Sequence, residues 1–205
     1  FDIQNSENIS QLFDNPDLYG FNVTIPYKQT IINYLDQLSP EAKKIGAVNT
    51  VKITNGKKTG YNTDAIGFKN SLLPLLKPHH SSAIILGSGG ASKAVAFILE
   101  QLDIPYIIIS RNGSNTYSSL TEETVTQHQL LINTTPVGTF PAVEEYPPFP
   151  VEFLTPSHLV YDLIYNPEET RLLKMAGEKG AATKNGLEML HLQAEAAWDI
   201  WNSPL

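Results

Sequence analysis

The sequence contains no cysteine in its 205 residues, which excludes disulfides, thiolate metal sites and cysteine nucleophiles. It has no apolar run close to the ~20 residues that a membrane-spanning helix needs, so no membrane partner is expected. Basic residues are also scarce. With 14 Lys and Arg against 21 Asp and Glu, the net charge of −7 leaves no overall basic surface for a nucleic acid. The absence of cysteine fits a cytoplasmic protein.

The composition that remains is globular. Apolar residues make up 41% of the chain, enough for at least one packed core. At ~150 residues per domain, the length predicts one large domain or two small ones. The first residues show neither the basic nor the apolar part of a signal peptide. Because the chain begins without Met, in a segment that is typical of a strand, we expect a fragment of a longer protein.

The first third of the chain mixes short strand and helix patterns. Apolar residues recur with helical spacing over 30–38, and Asn55-Gly56 is a strong signal for a two-residue hairpin turn. A proline at the first helical position indicates that another helix begins after Ser39. The other predicted elements are strands at 1–3, 20–25, 48–54 and 57–62 and a helical turn at 8–13.

The pattern changes after Asp64. Buried apolar strands then alternate with helices, which is typical of a parallel sheet with crossover helices. The predicted elements are strands at 82–86, 106–110, 130–133 and 159–163, helices at 66–76, 92–102 and 187–201, and a Pro-rich surface loop at 140–150.

A glycine-rich turn joins the predicted strand 82–86 to the predicted helix 92–102. Gly87 permits a tight turn, and Gly89 and Gly90 let the backbone approach a ligand without a Cβ in the way. The following helix presents free N–H groups and a positive dipole end to an anion, as in the pyrophosphate site of a Rossmann unit. Glycines also serve ordinary packing of a helix on a strand, but this context favours dinucleotide binding.

The end of the next strand distinguishes between dinucleotides. NAD enzymes carry an acidic residue there for the ribose 2′-OH, whereas this sequence has Ser110 and Arg111. A guanidinium can bind a 2′-phosphate through two N–H groups, and Ser110 and Ser114 can add hydroxyl donors. The segment therefore favours NADP over NAD. The alternative is an ordinary solvated arginine.

Lys28 and Asp64 are candidates for proton transfer. Lys28 follows a predicted strand and a proline turn, and Asp64 lies where the organisation changes, so both are expected to face a cleft between domains. Reduction of a ketone needs a group that supplies the hydroxyl proton, and a lysine beside a carboxylate can do this. The alternatives are a structural ion pair or no contact.

These patterns predict an α/β fold with a Rossmann-type domain. Together with the family resemblance described next, they lead us to expect a smaller α/β substrate-binding domain at 1–64, an NADP-binding domain with a parallel sheet at 65–184, and a C-terminal helix at 185–205 that packs back on the first domain.

Eight segments in order along the chain resemble the shikimate dehydrogenase family. They are GFNVTIPYK at 20–28, GAVNT at 46–50, GYNTDAIGF at 60–68, ILGSGGASKA at 85–94, SRN at 110–112, INTTPVG at 132–138, DLIYNPEET at 162–170 and NGLEMLHLQA at 185–194. The resemblance implies NADPH-dependent reduction of 3-dehydroshikimate to shikimate in aromatic amino-acid biosynthesis. It also implies a small-molecule substrate, no nucleic-acid partner, and a monomer or a homodimer.

The resemblance also implies individual roles. Lys28 matches the catalytic lysine and Asp64 its partner carboxylate. The residues implied to bind substrate are Asn22, Thr24, Asn49, Tyr165 and Gln193. The residues implied to bind NADP are Gly87, Ser88, Gly89, Gly90, Ala91, Ser110, Arg111, Thr134, Thr135, Ile164, Gly186 and Met189. No metal ligand is implied.

One departure from the family and two other functions stay open. The family opens with a strand and helix whose serine pair holds the substrate carboxylate, and nothing in 1–10 matches it, so we expect NADP binding to survive better than substrate binding. An NAD-dependent quinate/shikimate dehydrogenase would prefer NAD, and Arg111→Ala would not change its affinity for NADP. A non-catalytic NADP-binding module would bind NADP without turnover.

Overall fold

A computed structural model of the chain describes residues 3, 5 and 8–203. The predicted strand at 1–3 lies largely outside the described residues. The helices are α1 (Ile9–Leu12), α2 (Pro40–Ile45), α3 (Asp64–Leu72), α4 (Gly90–Gln101), α5 (Glu122–Gln127), α6 (Arg171–Glu178) and α7 (Leu187–Asn202). The strands are β1 (Gly20–Asn22), β2 (Gln37–Leu38), β3 (Thr50–Thr54), β4 (Lys57–Tyr61), β5 (Ala83–Leu86), β6 (Tyr106–Ile109), β7 (Leu130–Asn133), β8 (Leu159–Asp162) and β9 (Ala182–Lys184).

The first sheet is small and mixed, with the strand order β1-β3-β4-β2. Strands β1, β3 and β4 are antiparallel, and β2 runs parallel to β4. The predicted hairpin is present, because Thr54 pairs with Lys57 around Asn55 and Gly56, which have φ values of 50° and 75°. Apolar side chains that include Ile31 fill one side of this sheet.

The predicted helix over 30–38 is wrong. The chain forms a 3-10 turn at Thr30–Tyr34, becomes extended at Leu35, and then adds β2 beside β4. The 3-10 turn already brings the apolar residues of this segment into the apolar cluster of the first sheet. The backbone N–H of Asp36 then donates to Lys58 O at 2.9 Å. Pairing with a strand that is distant in the sequence therefore overrides the local helical pattern. The strand predicted at 20–25 likewise ends at Asn22.

The second sheet has five parallel strands in the order β6-β5-β7-β8-β9, which confirms the predicted α/β class. Successive side chains of β5 face opposite ways, so Ile84 packs in one apolar cluster and Ile85 in the other. Helices α3, α4 and α7 contribute to the cluster around Ile85, and α5 and α6 to the one around Ile84. Helices on both faces explain why the central strands are buried and mostly apolar, with polar residues only at the ends of β7 and β8.

The order of the second sheet creates a crevice. Strand β5 lies between β6 and β7, so the chain leaves β5 in one direction and returns to its other side. In open α/β sheets, ligands bind at the carboxyl ends of the strands that flank such a switch point. Gly87 follows β5 at this point with a φ of 106°, and an added Cβ would lie 2.6 Å from Thr134 Oγ1 after β7. Only glycine fits there.

Helix α7 connects the two sheets. It packs along α3, and its last turns reach the first sheet. The indole Nε1 of Trp201 donates to Val51 O at 2.9 Å, and Lys52 Nζ donates to Ile200 O at 2.8 Å. The predicted domain boundaries at 64 and 184 stay a prediction. No helix among residues 8–203 is long and apolar enough to cross a membrane.

Candidate active site

A cavity of about 590 Å³ lies between the first sheet, the carboxyl ends of the second sheet and α7. Its volume is typical of small-molecule sites. Its wall includes every residue predicted for catalysis or substrate binding: Asn22, Thr24, Lys28, Asn49, Asp64, Tyr165 and Gln193. It also includes part of the predicted cofactor set: Ala91, Thr134, Thr135, Ile164, Gly186 and Met189. The rest of that set, Gly87, Ser88, Gly89, Gly90, Ser110 and Arg111, lies outside this wall, in the segments that follow β5 and β6.

Lys28 and Asp64 form an ion pair in the wall of the cavity. Lys28 Nζ lies 2.6 Å from Asp64 Oδ2, and their side chains are 17% and 8% exposed. Asp64 is the first residue of α3, where the helix dipole favours a negative charge. The backbone carbonyl of Lys28 accepts a hydrogen bond from Val48 N at 2.7 Å, which anchors the lysine beside the first sheet. The possibility of no contact is thereby excluded, and the pair opens onto a cavity.

Asn49 fixes the orientation of Asp64. Its Nδ2 donates to Asp64 Oδ1 at 2.9 Å, so both carboxylate oxygens have a partner. The same Nδ2 lies 2.9 Å from Thr63 Oγ1, and Thr63 N donates to Asn49 Oδ1 at 2.7 Å. Asn49 is only 3% exposed. Because these bonds hold Asn49 by both ends of its amide, the carboxylate of Asp64 is held in one plane.

Gln193 reaches this network from the other end of the chain. Its Oε1 accepts from Asn49 Nδ2 at 3.3 Å, and its Nε2 donates to Leu190 O within α7 at 3.0 Å. The structure therefore brings α7 close to the ion pair, and the substrate-binding role that the resemblance implies for Gln193 stays a prediction. Asn22 is linked through Thr50, whose Oγ1 donates to Asn22 Oδ1 at 3.2 Å. Tyr165 is half-exposed at the rim.

The glycine turn fits a dinucleotide. Helix α4 begins at Gly90 and runs for 12 residues, so its first N–H groups and dipole face the turn. A Cβ added at Gly89 would meet no atom within 4 Å, so the backbone there borders open space. A Cβ added at Gly90 would lie 3.2 Å from Lys28 Cβ. Free N–H donors, open access and the neighbouring lysine together suit a pyrophosphate next to the reaction site.

Arg111 lies on the exposed loop after β6. The loop is closed by a hydrogen bond from Ser110 N to Asn115 O at 3.1 Å. In the part of the chain that the structure describes, no carboxylate forms an ion pair with Arg111. Burial raises the pKa of the nearby Tyr117, and the charge of Arg111 acts against that rise. The guanidinium is available for an anionic ligand.

Sequence reasoning missed several polar residues at the site. Thr63, Asn133 and Asp162 are fully or almost fully buried and hydrogen-bonded around the cavity. Burial raises the pKa of Asp162 to about 6, although hydrogen bonds from neighbouring groups act in the opposite direction. The sequence does carry a signal for Asn133 and Asp162. Each ends a strand of the parallel sheet, where such folds place ligand-binding groups.

A glycine turn at the switch point of a parallel sheet, with a Lys–Asp pair in the adjoining cleft, defines a dinucleotide-binding α/β protein with two sheets. The family model described as "Shikimate dehydrogenase substrate binding domain" matches residues 1–51. The NADP(+) shikimate dehydrogenase of Desulforamulus reducens is 38% identical in an alignment that covers 90% of this chain and 72% of that protein.

Comparison with solved structures points to the same family. The shikimate dehydrogenase of Aquifex aeolicus superposes with a TM-score of 0.87 at 38% identity, covering 98% of this chain and 79% of that one. The shikimate 5-dehydrogenase of Thermus thermophilus, in complex with NADP(H) and shikimate, has a TM-score of 0.86 at 33% identity, covering 97% and 79%. The chain therefore belongs to the shikimate dehydrogenase family, which confirms the predicted resemblance. In the described residues, no group of three or more His, Asp and Glu could hold a metal ion.

Proposed function

We propose that this chain catalyses the NADPH-dependent reduction of 3-dehydroshikimate to shikimate. The observation that carries the proposal is the Lys28–Asp64 pair, which opens onto the cavity beside the first turn of α4. Relatives at 38% identity named as NADP(+) shikimate dehydrogenases support it.

The second sheet binds the cofactor in this proposal. Bound NADPH supplies a hydride to the carbonyl carbon of the substrate. The turn from Gly87 to Ala91 and the first N–H groups of α4 hold the pyrophosphate. Ser110 and Arg111 bind the 2′-phosphate. The residues that line the nicotinamide side of the cavity are Thr134, Thr135, Ile164, Gly186 and Met189.

Lys28 supplies the proton. A reduced ketone becomes a hydroxyl only when its oxygen gains a proton, and the ammonium of Lys28 can donate one there. Asp64 Oδ2, 2.6 Å away, accepts a hydrogen bond from the ammonium and keeps Nζ in place. Asn49 keeps the carboxylate in one orientation through Oδ1. The three residues therefore act as a proton donor, its counter-ion and a support for that counter-ion.

The polar side chains in the wall of the cavity match the substrate. Shikimate has three ring hydroxyls and a carboxylate, and the cavity offers hydroxyl and amide groups from Asn22, Thr24, Asn49, Tyr165 and Gln193. A site that hydrogen-bonds hydroxyls rejects analogues that lack them, because its own polar groups would then be buried without partners. A cytoplasmic location, and a monomeric or homodimeric state, stay predictions of the sequence.

The test is the loss of NADPH absorbance with 3-dehydroshikimate for the wild type and for Lys28→Ala. We expect turnover to fall by roughly 10²–10⁴-fold, the usual contribution of general acid–base catalysis, with NADPH affinity close to wild type. Lys174→Ala, at an exposed lysine on α6, is the matched control. Unchanged turnover in Lys28→Ala would remove Lys28 from the mechanism. NADPH binding without turnover in the wild type would favour the non-catalytic module.

A further inference from the structure

Asp162 is a buried carboxylate that the proposed chemistry does not use. It ends β8, has no exposed surface, and accepts three hydrogen bonds. Asn133 Nδ2 donates to Oδ1 at 2.9 Å, Ile164 N donates to Oδ1 at 3.1 Å, and Thr170 Oγ1 donates to Oδ2 at 2.7 Å. The donors come from three places: the end of β7, the segment after β8, and the residue that caps the N-terminus of α6.

Two of these donors lead directly to the cavity. Asn133 Oδ1 accepts from Thr135 N at 3.0 Å and from Thr135 Oγ1 at 2.7 Å. Ile164 O accepts from Gly186 N at 2.9 Å. Thr135, Ile164 and Gly186 all line the cavity on the side assigned to the nicotinamide. The carboxylate of Asp162 is thus one or two hydrogen bonds away from three wall segments.

A carboxylate is costly at this position unless its oxygens are needed. Removing a charged group from water is unfavourable, and an apolar side chain would fill the same space without that cost. What an ionised carboxylate offers is acceptor capacity on both oxygens, which an amide cannot match because its nitrogen only donates. At Asp162 this capacity is taken up by three donors from separate segments.

We propose that Asp162 is a positioning residue that holds the segments 134–138 and 163–166 in the shape that receives the nicotinamide end of the dinucleotide, without touching it. The proposal rests on the proposed function, because it takes this side of the cavity to be the nicotinamide side. A purely structural role would consist of capping α6 through Thr170, and would affect folding but leave the cavity of the folded protein unchanged.

The first variant is Asp162→Ala, which removes both acceptor oxygens. All three hydrogen bonds are then lost. We expect the Kd for NADPH, measured by fluorescence titration, to rise about tenfold or more, as for the loss of a hydrogen bond to a charged group. The KM for NADPH rises with it, kcat falls, and the KM for 3-dehydroshikimate changes less than twofold or so.

The matched control is Tyr161→Phe. Tyr161 is the preceding residue of β8, is fully buried, and shares a hydrogen bond of 2.7 Å with Ser71 Oγ on the other face of the sheet. This change removes a buried hydrogen bond without loosening a cavity segment. We expect a lower melting temperature and an unchanged Kd for NADPH.

A second variant covers the case in which Asp162→Ala does not fold. Asn133→Ala removes the link to Thr135 and leaves the bonds from Ile164 and Thr170 in place, and we again expect about a tenfold weaker NADPH complex. Folded variants that bind NADPH as the wild type does overturn the proposal, as does failure of both variants to fold.

The titration does not depend on turnover. If the wild type binds NADPH but does not reduce 3-dehydroshikimate, the proposed function fails while the affinity comparison still decides the role of Asp162. A wild type that does not bind NADPH overturns both proposals.

Discussion

The two sheets contribute to the cavity in different ways. The segments that border the first sheet supply side chains: Lys28, Asn49 and Asp64 meet there in a hydrogen-bonded chain. The second sheet supplies backbone, because the turn at Gly87 and the first N–H groups of α4 provide the candidate anion site. The first region, around Lys28 and Asp64, should therefore be most sensitive to the removal of a side chain. The second region, at the carboxyl ends of the second sheet, should be most sensitive to the addition of a Cβ.

Asp64→Asn should have the largest effect. The amide cannot neutralise Lys28, and the ammonium is left partly buried without its counter-ion. We expect kcat to fall by roughly 10²–10⁴-fold while the Kd for NADPH stays close to wild type, because the second sheet is untouched. Steady-state kinetics and fluorescence titration measure the two. Asp17→Asn, at an exposed aspartate, is the control. A parallel loss of NADPH affinity would contradict the division between the sheets.

Gly87→Ala should break the second region. The φ of 106° is strained for alanine, and its Cβ would lie 2.6 Å from Thr134 Oγ1. Strain of about 1–3 kcal/mol and overpacking of about 1–3 kcal/mol should weaken NADPH binding and lower stability together. Gly56→Ala is the control, since Gly56 also has a positive φ of 75° but has no atom within 4 Å of an added Cβ. It should lower the melting temperature and leave the Kd for NADPH unchanged.

The stability of the protein should depend on pH through Asp162, which lies in the second region. Burial raises its pKa from 3.8 to about 6, so the folded state holds the proton more tightly than the unfolded chain does. The stability from this group is fully present below the ordinary pKa and is lost as the pH rises through about 6. The groups that face it, Asn133, Thr170 and the amide of Ile164, do not titrate.

Urea unfolding of the wild type and Asp162→Asn measures this effect. Relative to the variant, the wild type should be more stable at about pH 4 than at about pH 7, by up to about 3 kcal/mol. A difference between the two proteins that does not change with pH would mean that Asp162 titrates normally.

Arg111→Ala separates the contribution of Arg111 to cofactor binding from that of the glycine turn. The turn at Gly87 serves either dinucleotide, whereas Arg111 can distinguish them by the 2′-phosphate. We expect the Kd for NADPH to rise about tenfold, as for the loss of a hydrogen bond to a charged group, with no change for NADH. Parallel titrations with both dinucleotides measure this. A wild type that prefers NADH, with no effect of Arg111→Ala, would favour the NAD-dependent quinate/shikimate alternative.

Much of the fold could be predicted because its signals are local. Strand β5 is a continuous apolar run, β7 and β8 are apolar up to their last residue, and the hairpin at Asn55-Gly56 depends on two adjacent residues. The helix predicted over 30–38 failed because β2 forms only through pairing with β4, and that pairing depends on residues about two dozen positions away, such as Lys58 with Asp36. Short helices such as α5 and α6 were not predicted.

By itself, the sequence determined the class of fold and the glycine turn, because these depend on periodicity and backbone freedom. It indicated Lys28 and Asp64 as candidates for the reactive pair, with roles implied by the family resemblance. Only the tertiary structure decided how the pair is supported. Asn49 is hydrogen-bonded to Gln193 across 144 positions, and Asp162 collects donors from three separate segments. No local pattern contains such bonds, because they form only after two sheets and a terminal helix pack together.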